Sequence, residues 1–411
     1  MERVVVTGMG TVNSVGQSVK ETWQNILKGV SGVGPITLFD SSQLLVKIAC
    51  EVKNFNPENY LPRNEARRRD RFEMFATAAI QEATRQSGLT VTEENAWRIG
   101  VIYSSAVGGL ISIFDGFRLL INEGPRRVSP FLIPMYITNG PAAMTSLDYG
   151  LKGPCQSIVT ACASGTDAIG MAMMMIRAGM MDAAITGGCE APVCNVGLAS
   201  FDRLGALSRW NDDYSMTPAP FDKNRDGLVI GEGAGALVIE SESFAKARGA
   251  EILAEIAGYG CSSDAFHITA PHEQGAGGAQ AIRLALQSAG VDAGQVGYIN
   301  AHGTATPLND LAETRAIKAA FGALAYNIPI SSTKSMTGHM MGATGALEAI
   351  FCIQAIRDGI LPPTIHYQTP DPECDLDCIP NQARQKSVNV AISNSFGFGG
   401  HNAVVAIRKY Q

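Results

Sequence analysis

The tightest constraint on the fold is that the chain opens twice. Val4-Val5-Val6-Thr7-Gly8-Met9-Gly10 and Ala254-Glu255-Ile256-Ala257-Gly258-Tyr259-Gly260 are each a short apolar stretch running into a G-x-G pair. That pattern reads as a buried strand ending in a turn. Two further segments read as matching closings: Gly235-Ala236-Leu237-Val238-Ile239-Glu240, and Asn402-Ala403-Val404-Val405-Ala406-Ile407-Arg408 after the glycine run at 397–400. Each half then begins and ends on a buried strand, and the charged, small-residue segment Ser241 to Ala250 joins them. This pattern predicts an internal duplication, with halves at 1–250 and 251–411.

Between these ends helical and strand patterns alternate, as where Gly277 to Gly290 reads as helix and Val296-Gly297-Tyr298-Ile299-Asn300 as strand. The alternation predicts an α/β class, with parallel sheets covered by helices on both faces. The stretch from Leu110 to Leu147 breaks the pattern with Pro125, Pro130, Pro134 and Pro141. A long irregular insertion of this kind is expected to bind a ligand or to make an oligomer contact.

With 411 residues, 46% hydrophobic and 17% charged, the chain is long enough to bury a large core in two domains or halves. A net charge of -6 gives nucleic acid or an anionic membrane no long-range attraction. Nine cysteines are scattered from Cys50 to Cys378 with no C-x-x-C pair, so neither a zinc ribbon nor a secreted disulfide framework fits. Buried free thiols in a reducing cytosol are expected instead. The N-terminus enters a strand directly, without the apolar stretch of a signal peptide. No run approaches the roughly 18–20 apolar residues of a membrane span, so a soluble, intracellular protein is expected.

Three segments hold the chemistry. Gln156-Ser157-Ile158-Val159-Thr160-Ala161-Cys162-Ala163-Ser164-Gly165 is a β-rich run ending in Cys162, followed by small residues and a long helical pattern. A thiol on the first turn of a helix has backbone N–H groups and the macrodipole to favour its thiolate. Taken alone, Cys162 fits a buried structural cysteine equally well. Ile299-Asn300-Ala301-His302-Gly303-Thr304-Ala305-Thr306-Pro307 then puts a histidine just after an apolar strand, where ligands bind in parallel sheets. Ser331-Ser332-Thr333-Lys334-Ser335-Met336-Thr337-Gly338-His339 repeats that logic ahead of a helix built of Gly and Ala. The chain has only six histidines, and two in such turns of one half, with the cysteine element, point to a reaction centre.

These residues carry a family resemblance. Thr160-Ala161-Cys162-Ala163-Ser164-Gly165, His302-Gly303-Thr304-x-Thr306-Pro307, Lys334-Ser335-x-Thr337-Gly338-His339 and Asn394-Ser395-Phe396-Gly397-Phe398-Gly399-Gly400 resemble the signatures of β-ketoacyl-[acyl-carrier-protein] synthases. The likeness spans essentially the whole chain and is closest to the type II elongating enzymes of bacteria and plastids. It implies a thiolase-like fold with duplicated halves in five layers, α-β-α-β-α, and a homodimer. It implies decarboxylative condensation of a Cys162-bound acyl group with a malonyl group, both carried on the phosphopantetheine of acyl carrier protein with no other cofactor. It implies a cytoplasmic or plastid-stromal setting.

By the same resemblance, His302 and His339 would hold the enolate oxygen, while the N–H groups of Cys162 and Phe398 would hold the oxyanion on the acyl side. Lys334 and Glu348 would support His339. Thr304 and Thr306 would bond the phosphopantetheine arm, and Phe396, Val107, Leu198 and Phe201 would shape the substrate site. Asn300, Glu348, Ser393 and Asn394 would surround a structural cation. Arg67-Arg68-Arg69 and Arg126-Arg127, conspicuous in an acidic chain, would steer the acidic carrier protein.

Ala305, Asp167 and His401 depart from the commoner Ser, His and Thr of the pattern, and none removes a reacting group. A dinucleotide site is disfavoured because Gly8-Met9-Gly10 lacks the third glycine of G-x-G-x-x-G. The Met-rich helix from Met171 to Met181 reads as core or dimer packing. A thiolase would need a second reactive cysteine near the C-terminal glycine turn, which reads Gly397-Phe398-Gly399-Gly400-His401. A polyketide ketosynthase uses the same three residues, and a non-catalytic chain-length partner subunit would lack Cys162.

Overall fold

The computed structural model describes residues 2–411. Ten strands form one sheet: β1 (Val4–Asn13), β2 (Ile99–Ser104), β3 (Cys155–Gln156), β4 (Ala183–Glu190), β5 (Gly233–Ser241), β6 (Ala254–Ser263), β7 (Tyr298–Asn300), β8 (Ile330–Ser331), β9 (Val390–Gly397) and β10 (His401–Arg408). They lie in the order β3-β2-β4-β5-β1-β6-β10-β9-β7-β8. Read inward from its two edges, the sheet gives β3-β2-β4-β5-β1 and β8-β7-β9-β10-β6, the same order with every number raised by five. The two sets join where Val5 pairs with Glu255 and Val6 with Ala254.

The sheet is mixed rather than parallel. β2 runs parallel to β3 and β4, and β7 to β8 and β9. The pairs β1–β5, β4–β5, β9–β10 and β6–β10 are antiparallel. Helix-connected strands keep the parallel sense that the alternation predicts, but β9 and β10 are joined by the tight turn at Phe398–Gly400, with Gly399 and Gly400 at φ 81° and 75°. A short glycine turn returns the chain beside itself as a hairpin.

The G-x-G pairs are not turns. Gly8 and Gly10 lie inside β1, where an added Cβ would stand 2.1 Å from the carbonyl oxygen of Ala83 and 1.9 Å from that of Ala79, both on α1 (Arg71–Ser87). In the second half Gly258 and Gly260 face Ala285 and Ala281 of α6 (Ala276–Ala289), at 2.4 and 2.3 Å. The repeated motif records a helix pressed to backbone contact on a strand.

Strand alternation divides the apolar side chains among three large cores. One packs Ile99, Val101 and Tyr103 of β2 on Phe72, Phe75 and Ala79 of α1, and its counterpart packs Ile299, Ile392 and Val404 on Ala281, Ile282 and Ala285 of α6. The third takes Val4, Ile102 and Leu237 from the first half, Ala391, Val405 and Ile407 from the second, and two helices: α4 (Ser164–Arg177) and α8 (Thr344–Asp358). These helices approach at glycines, since a Cβ on Gly165 would lie 2.6 Å from the Gly342 carbonyl oxygen and one on Gly345 2.1 Å from Thr166 Oγ1. Each follows a single 3₁₀ turn, Ala161–Ala163 or Met341–Ala343. Both turns start on a left-handed residue, with Ala161 at φ 51° and Met341 at φ 43°. Cys162 and Gly342 therefore occupy matching places in the two halves.

The segment from Leu110 to Leu147 is mostly helical rather than irregular, with α2 (Leu110–Glu123), the short helix Leu132–Tyr136 and α3 (Gly140–Tyr149). Pro141 stands in the first turn of α3 and Pro125 opens a separate 3₁₀ turn after α2, positions where the missing N–H costs nothing. Two further helices are α5 (Asn195–Arg203) and α7 (Pro307–Phe321). No helix among the described residues is long and apolar enough to cross a membrane.

Gly345→Ala would force a methyl group against Thr166 Oγ1 and the Thr166 backbone nitrogen, the latter 2.8 Å away. We expect it to cost about 1–3 kcal/mol of stability by denaturant unfolding. A loss below about 0.5 kcal/mol would contradict the tight crossing of α4 and α8.

Candidate active site

Cys162 stands in the 3₁₀ turn immediately before α4, not inside the helix. Thr160 N–H donates to Ser164 Oγ at 2.9 Å, and Ala163 N–H to the Thr160 carbonyl at 3.0 Å, which ties the turn to the helix. The second half supplies both histidines. His302 follows β7, and its loop is fixed by Glu313 of α7, which accepts the N–H of His302 at 2.8 Å and of Gly303 at 2.7 Å. His339 follows the helical turn Lys334–Thr337, and its N–H donates to the Val229 carbonyl at 2.8 Å.

The three side chains converge. His339 Nε2 lies 3.1 Å from Cys162 Sγ, and His339 Nδ1 lies 3.2 Å from Thr344 Oγ1 at the start of α8. The two imidazole rings are 5.3 Å apart, nearly perpendicular. All three line a cavity of about 310 Å³, which Phe201, Thr304, Thr306, Met341, Phe396 and Phe398 also line. The ring of Phe398 meets that of Phe201 at 6.4 Å, and Thr304 Oγ1 lies 3.0 Å from Thr306 Oγ1.

Burial sets the charge states. It pushes the Cys162 thiol up to about 12, against the pull of the Lys334 charge and of the N–H groups of Phe398 and Cys162. The start of a helix therefore does not by itself make this residue a thiolate; desolvation outweighs it. Burial, and then the Lys334 ammonium, hold both imidazoles well below their usual range, so both rings are neutral. Lys334 Nζ donates to Glu348 Oε1 at 2.6 Å, and each side chain is 1% exposed. Burial raises the Glu348 carboxyl and the ammonium draws it back, so each charge compensates the other.

Some expected residues stand elsewhere. Leu198 is buried in the cluster that packs around Cys162 and Met341, behind the cavity wall. Val107 is half-buried and does not line the cavity; its N–H donates to Glu190 Oε1 at 3.3 Å. Arg69 is not a surface cation: it is 4% exposed and grips Asp148 at 2.6 and 2.8 Å and Thr77 at 2.9 Å. Arg67, Arg68, Arg126 and Arg127 are exposed.

Two further buried acids, outside the sequence motifs, belong to the site. Glu190 accepts from Ser105, Val107 and Gly342, and burial pushes its carboxyl up to about 7. Glu313 shares a face of α7 with buried Asp310, Thr314 and Ile317, and that spacing of acids on an apolar face was the available signal.

The four residues expected around a cation offer oxygen atoms only. Asn300 and Asn394 donate their amide nitrogens to Tyr298 and Glu313, and Glu348 gives one carboxylate oxygen to Lys334. This leaves Asn300 Oδ1, Asn394 Oδ1, Glu348 Oε2 and Ser393 Oγ buried without partners. An all-oxygen set with one carboxylate suits a hard cation.

A thiol and two neutral imidazoles brought together from two duplicated halves define a thiolase-like α/β protein with a Cys–His–His centre. Residues 1–245 match the family described as Beta-ketoacyl synthase, N-terminal domain, and residues 253–368 match Beta-ketoacyl synthase, C-terminal domain. The chain belongs to the β-ketoacyl synthase family. It is 50% identical over 410 residues to a 3-oxoacyl-[acyl-carrier-protein] synthase 2 of Staphylococcus aureus (strain COL), covering 100% of this chain and 99% of that one. Among solved structures it resembles a beta-ketoacyl synthase from Burkholderia phymatum STM815, with TM-score 0.92, 37% identity and full coverage of both chains. It also resembles a chain from a type II PKS acyl-carrier protein in complex with its ketosynthase bound to the hexaketide, with TM-score 0.91, 35% identity and full coverage of both.

Neutral native rings make a prediction about acid stability. Below the ordinary imidazole value of 6.5 the unfolded chain binds protons that the native state does not, so stability falls as pH drops through that value. His339→Gln removes one such site. The urea midpoint should drop less between pH 7.5 and pH 5.5 in this variant than in the wild-type protein, where an equal drop in both would contradict a neutral His339.

Proposed function

We propose that the chain is a 3-oxoacyl-[acyl-carrier-protein] synthase of fatty acid elongation, with Cys162 as nucleophile. The observation that carries this reading is the 3.1 Å approach of Cys162 Sγ to His339 Nε2 beside His302, in one cavity. The Cys162 sulfur attacks the thioester carbonyl of an acyl carrier protein, the carrier's pantetheine sulfur leaves with the thiol proton, and the acyl group stays on Cys162. The N–H groups of Cys162 and Phe398 hold the oxyanion formed on the way. In the second step malonyl thioester loses CO2, and its enolate oxygen accepts from Nε2–H of His302 and of His339, with the Thr344 hydroxyl donating to His339 Nδ1. The enolate carbon then attacks the acyl-Cys162 carbonyl. The C–C bond forms, the C–S bond breaks, and Cys162 leaves as a thiolate that takes one proton from solvent.

Neutral imidazoles suit this role, because decarboxylation supplies the carbanion without a strong base and needs fixed donors to receive its charge. Burial, and then the Lys334 ammonium, maintain that neutrality, while Glu348 compensates the buried ammonium. Thr304 and Thr306 hold the phosphopantetheine arm, with Phe201, Phe396 and Phe398 as the walls beside it. Val107 and Leu198 act from behind that wall, toward the acyl chain. Asn300, Ser393, Asn394 and Glu348 would hold a structural cation, offsetting negative charge behind the histidines.

The assembly follows from the same reading. The halves divide near residue 250, and α1, the first five strands, the α4–α8 pair, the last five strands and α6 make five layers. Two copies pair beside the open edge strand β3 and through the insertion, whose Phe117, Ile121, Ile133 and Leu147 expose 57%, 78%, 58% and 75% of their surface. Arg67, Arg68, Arg126 and Arg127 steer an acidic carrier protein, in the cytoplasm or a plastid stroma. The fatty-acid reading is favoured over polyketide synthesis by 50% identity to the S. aureus enzyme, against 35% to the PKS ketosynthase.

Incubation with acyl carrier protein, followed by mass spectrometry, should place the acyl group on Cys162 and find none in Cys162→Ala. His302→Ala and His339→Ala should still be acylated, yet release CO2 from malonyl carrier protein about 100-fold more slowly. An acyl adduct persisting in Cys162→Ala would overturn the assignment.

A further inference from the structure

One buried carboxylate near the nucleophile has no part in the reaction described above. Asp167 lies in the first turn of α4 and is 7% exposed. Its Oδ2 accepts from the hydroxyl of Thr160, two residues before Cys162, and its Oδ1 accepts from Tyr259 Oη at 2.5 Å. Tyr259 belongs to β6, in the other half of the chain, and burial together with the Asp167 charge raises its phenol and keeps it the donor. Its ring covers Gly170 so closely that a Cβ there would lie 2.2 Å from it. Burial raises the Asp167 carboxyl, and the hydrogen bonds from Thr160 and Tyr259 draw it back; the His401 ring lies against Gly399 in the turn that presents Phe398.

What this carboxylate holds is strained. Ala161, between Thr160 and Cys162, has φ 51°, a left-handed conformation that crowds the Cβ of any L-residue against its own carbonyl. Such a conformation persists only where its surroundings fix it on both sides. On one side β9 abuts the turn, since a Cβ on Gly397 would lie 2.8 Å from the Thr160 carbonyl oxygen and 3.0 Å from the Cys162 nitrogen. On the other side Thr160 is tied to Ser164 through its N–H and to Asp167 through its hydroxyl. The Cys162 N–H that receives the oxyanion is thus located by a chain of contacts running from Tyr259 through Asp167 to Thr160.

We infer that Asp167 is a positioning residue for the acyl-transfer half of the reaction: with Tyr259 and Thr160 it holds the Cys162 N–H in register with the Phe398 N–H. This rests on the proposed role of Cys162 as the acylated residue. It separates two steps that share one cavity, because the enolate donors His302 and His339 are anchored by Glu313, Val229 and Thr344 and have no bond to Asp167. Loss of the carboxylate releases the strained turn and moves one oxyanion donor while leaving the imidazoles in place.

The test measures the two half-reactions separately in the full-length protein. Quenched-flow mass spectrometry follows acylation of Cys162 by an acyl carrier protein, and CO2 release follows decarboxylation of malonyl carrier protein. Asp167→Ala should slow acylation about 10- to 100-fold, the scale of a misplaced reacting group, and change CO2 release by less than about twofold. Tyr259→Phe, which removes only a hydroxyl and carries the test should Asp167→Ala fail to fold, should shift the same half-reaction in the same direction. The double variant should be no slower than Asp167→Ala, because both act through one network. Acylation at the wild-type rate in Asp167→Ala or in Tyr259→Phe, or an equal fall in both half-reactions, would overturn the inference. A wild-type protein that takes no acyl group on Cys162 would instead overturn the functional reading beneath it.

Discussion

Everything at this site depends on two helices meeting at bare backbone. Gly165 and Gly345 let α4 and α8 approach until no methyl group fits between them. That approach carries the turn before each helix into the other half's territory. A thiol encoded at position 162 reaches an imidazole encoded at position 339 because both hang from this crossing. A side chain at either glycine would separate the helices, and the sulfur and the ring with them.

Burial then does the chemical tuning. In water a thiol and two imidazoles would titrate near neutrality, with mixed populations of charge. Excluded from water, and with the Lys334 ammonium near both rings, the imidazoles stay neutral and the thiol keeps its proton. A buried ammonium is tolerated only because Glu348 meets it at 2.6 Å, since an uncompensated charge at such depth would shift its pKa or unfold the site. Neutral donors, fixed in place, are what an enolate requires.

The three side chains that converge on the cavity were legible in the sequence because each is a scarce type in a distinctive turn: one cysteine among small residues, and two of six histidines after apolar strands. The strands that open and close each half were legible too, in the repeated apolar segments. What the sequence could not give was direction and depth. Apolar periodicity is the same for parallel and antiparallel strands, so the mixed sheet and the β9–β10 hairpin were not foreseen. Gly8-Met9-Gly10 looks like a turn until α1 is laid across it. Arg69 reads like its exposed neighbours Arg67 and Arg68, but its partner Asp148 is 79 residues away. Glu190 gave no local sign, because the backbone N–H of Gly342 that it accepts lies 152 residues on.

The neutrality of His302 and His339 inside the buried cavity is the property on which the site turns. It is tested most directly by ¹⁵N NMR of protein labelled at the histidine ring nitrogens, near pH 7, assigned with His302→Ala and His339→Ala. Each of the two rings should show one protonated and one bare nitrogen, and the pattern should persist as the pH is lowered past the point where exposed histidines have become imidazolium. Imidazolium signals from either ring at pH 7, with both nitrogens protonated, would contradict the account.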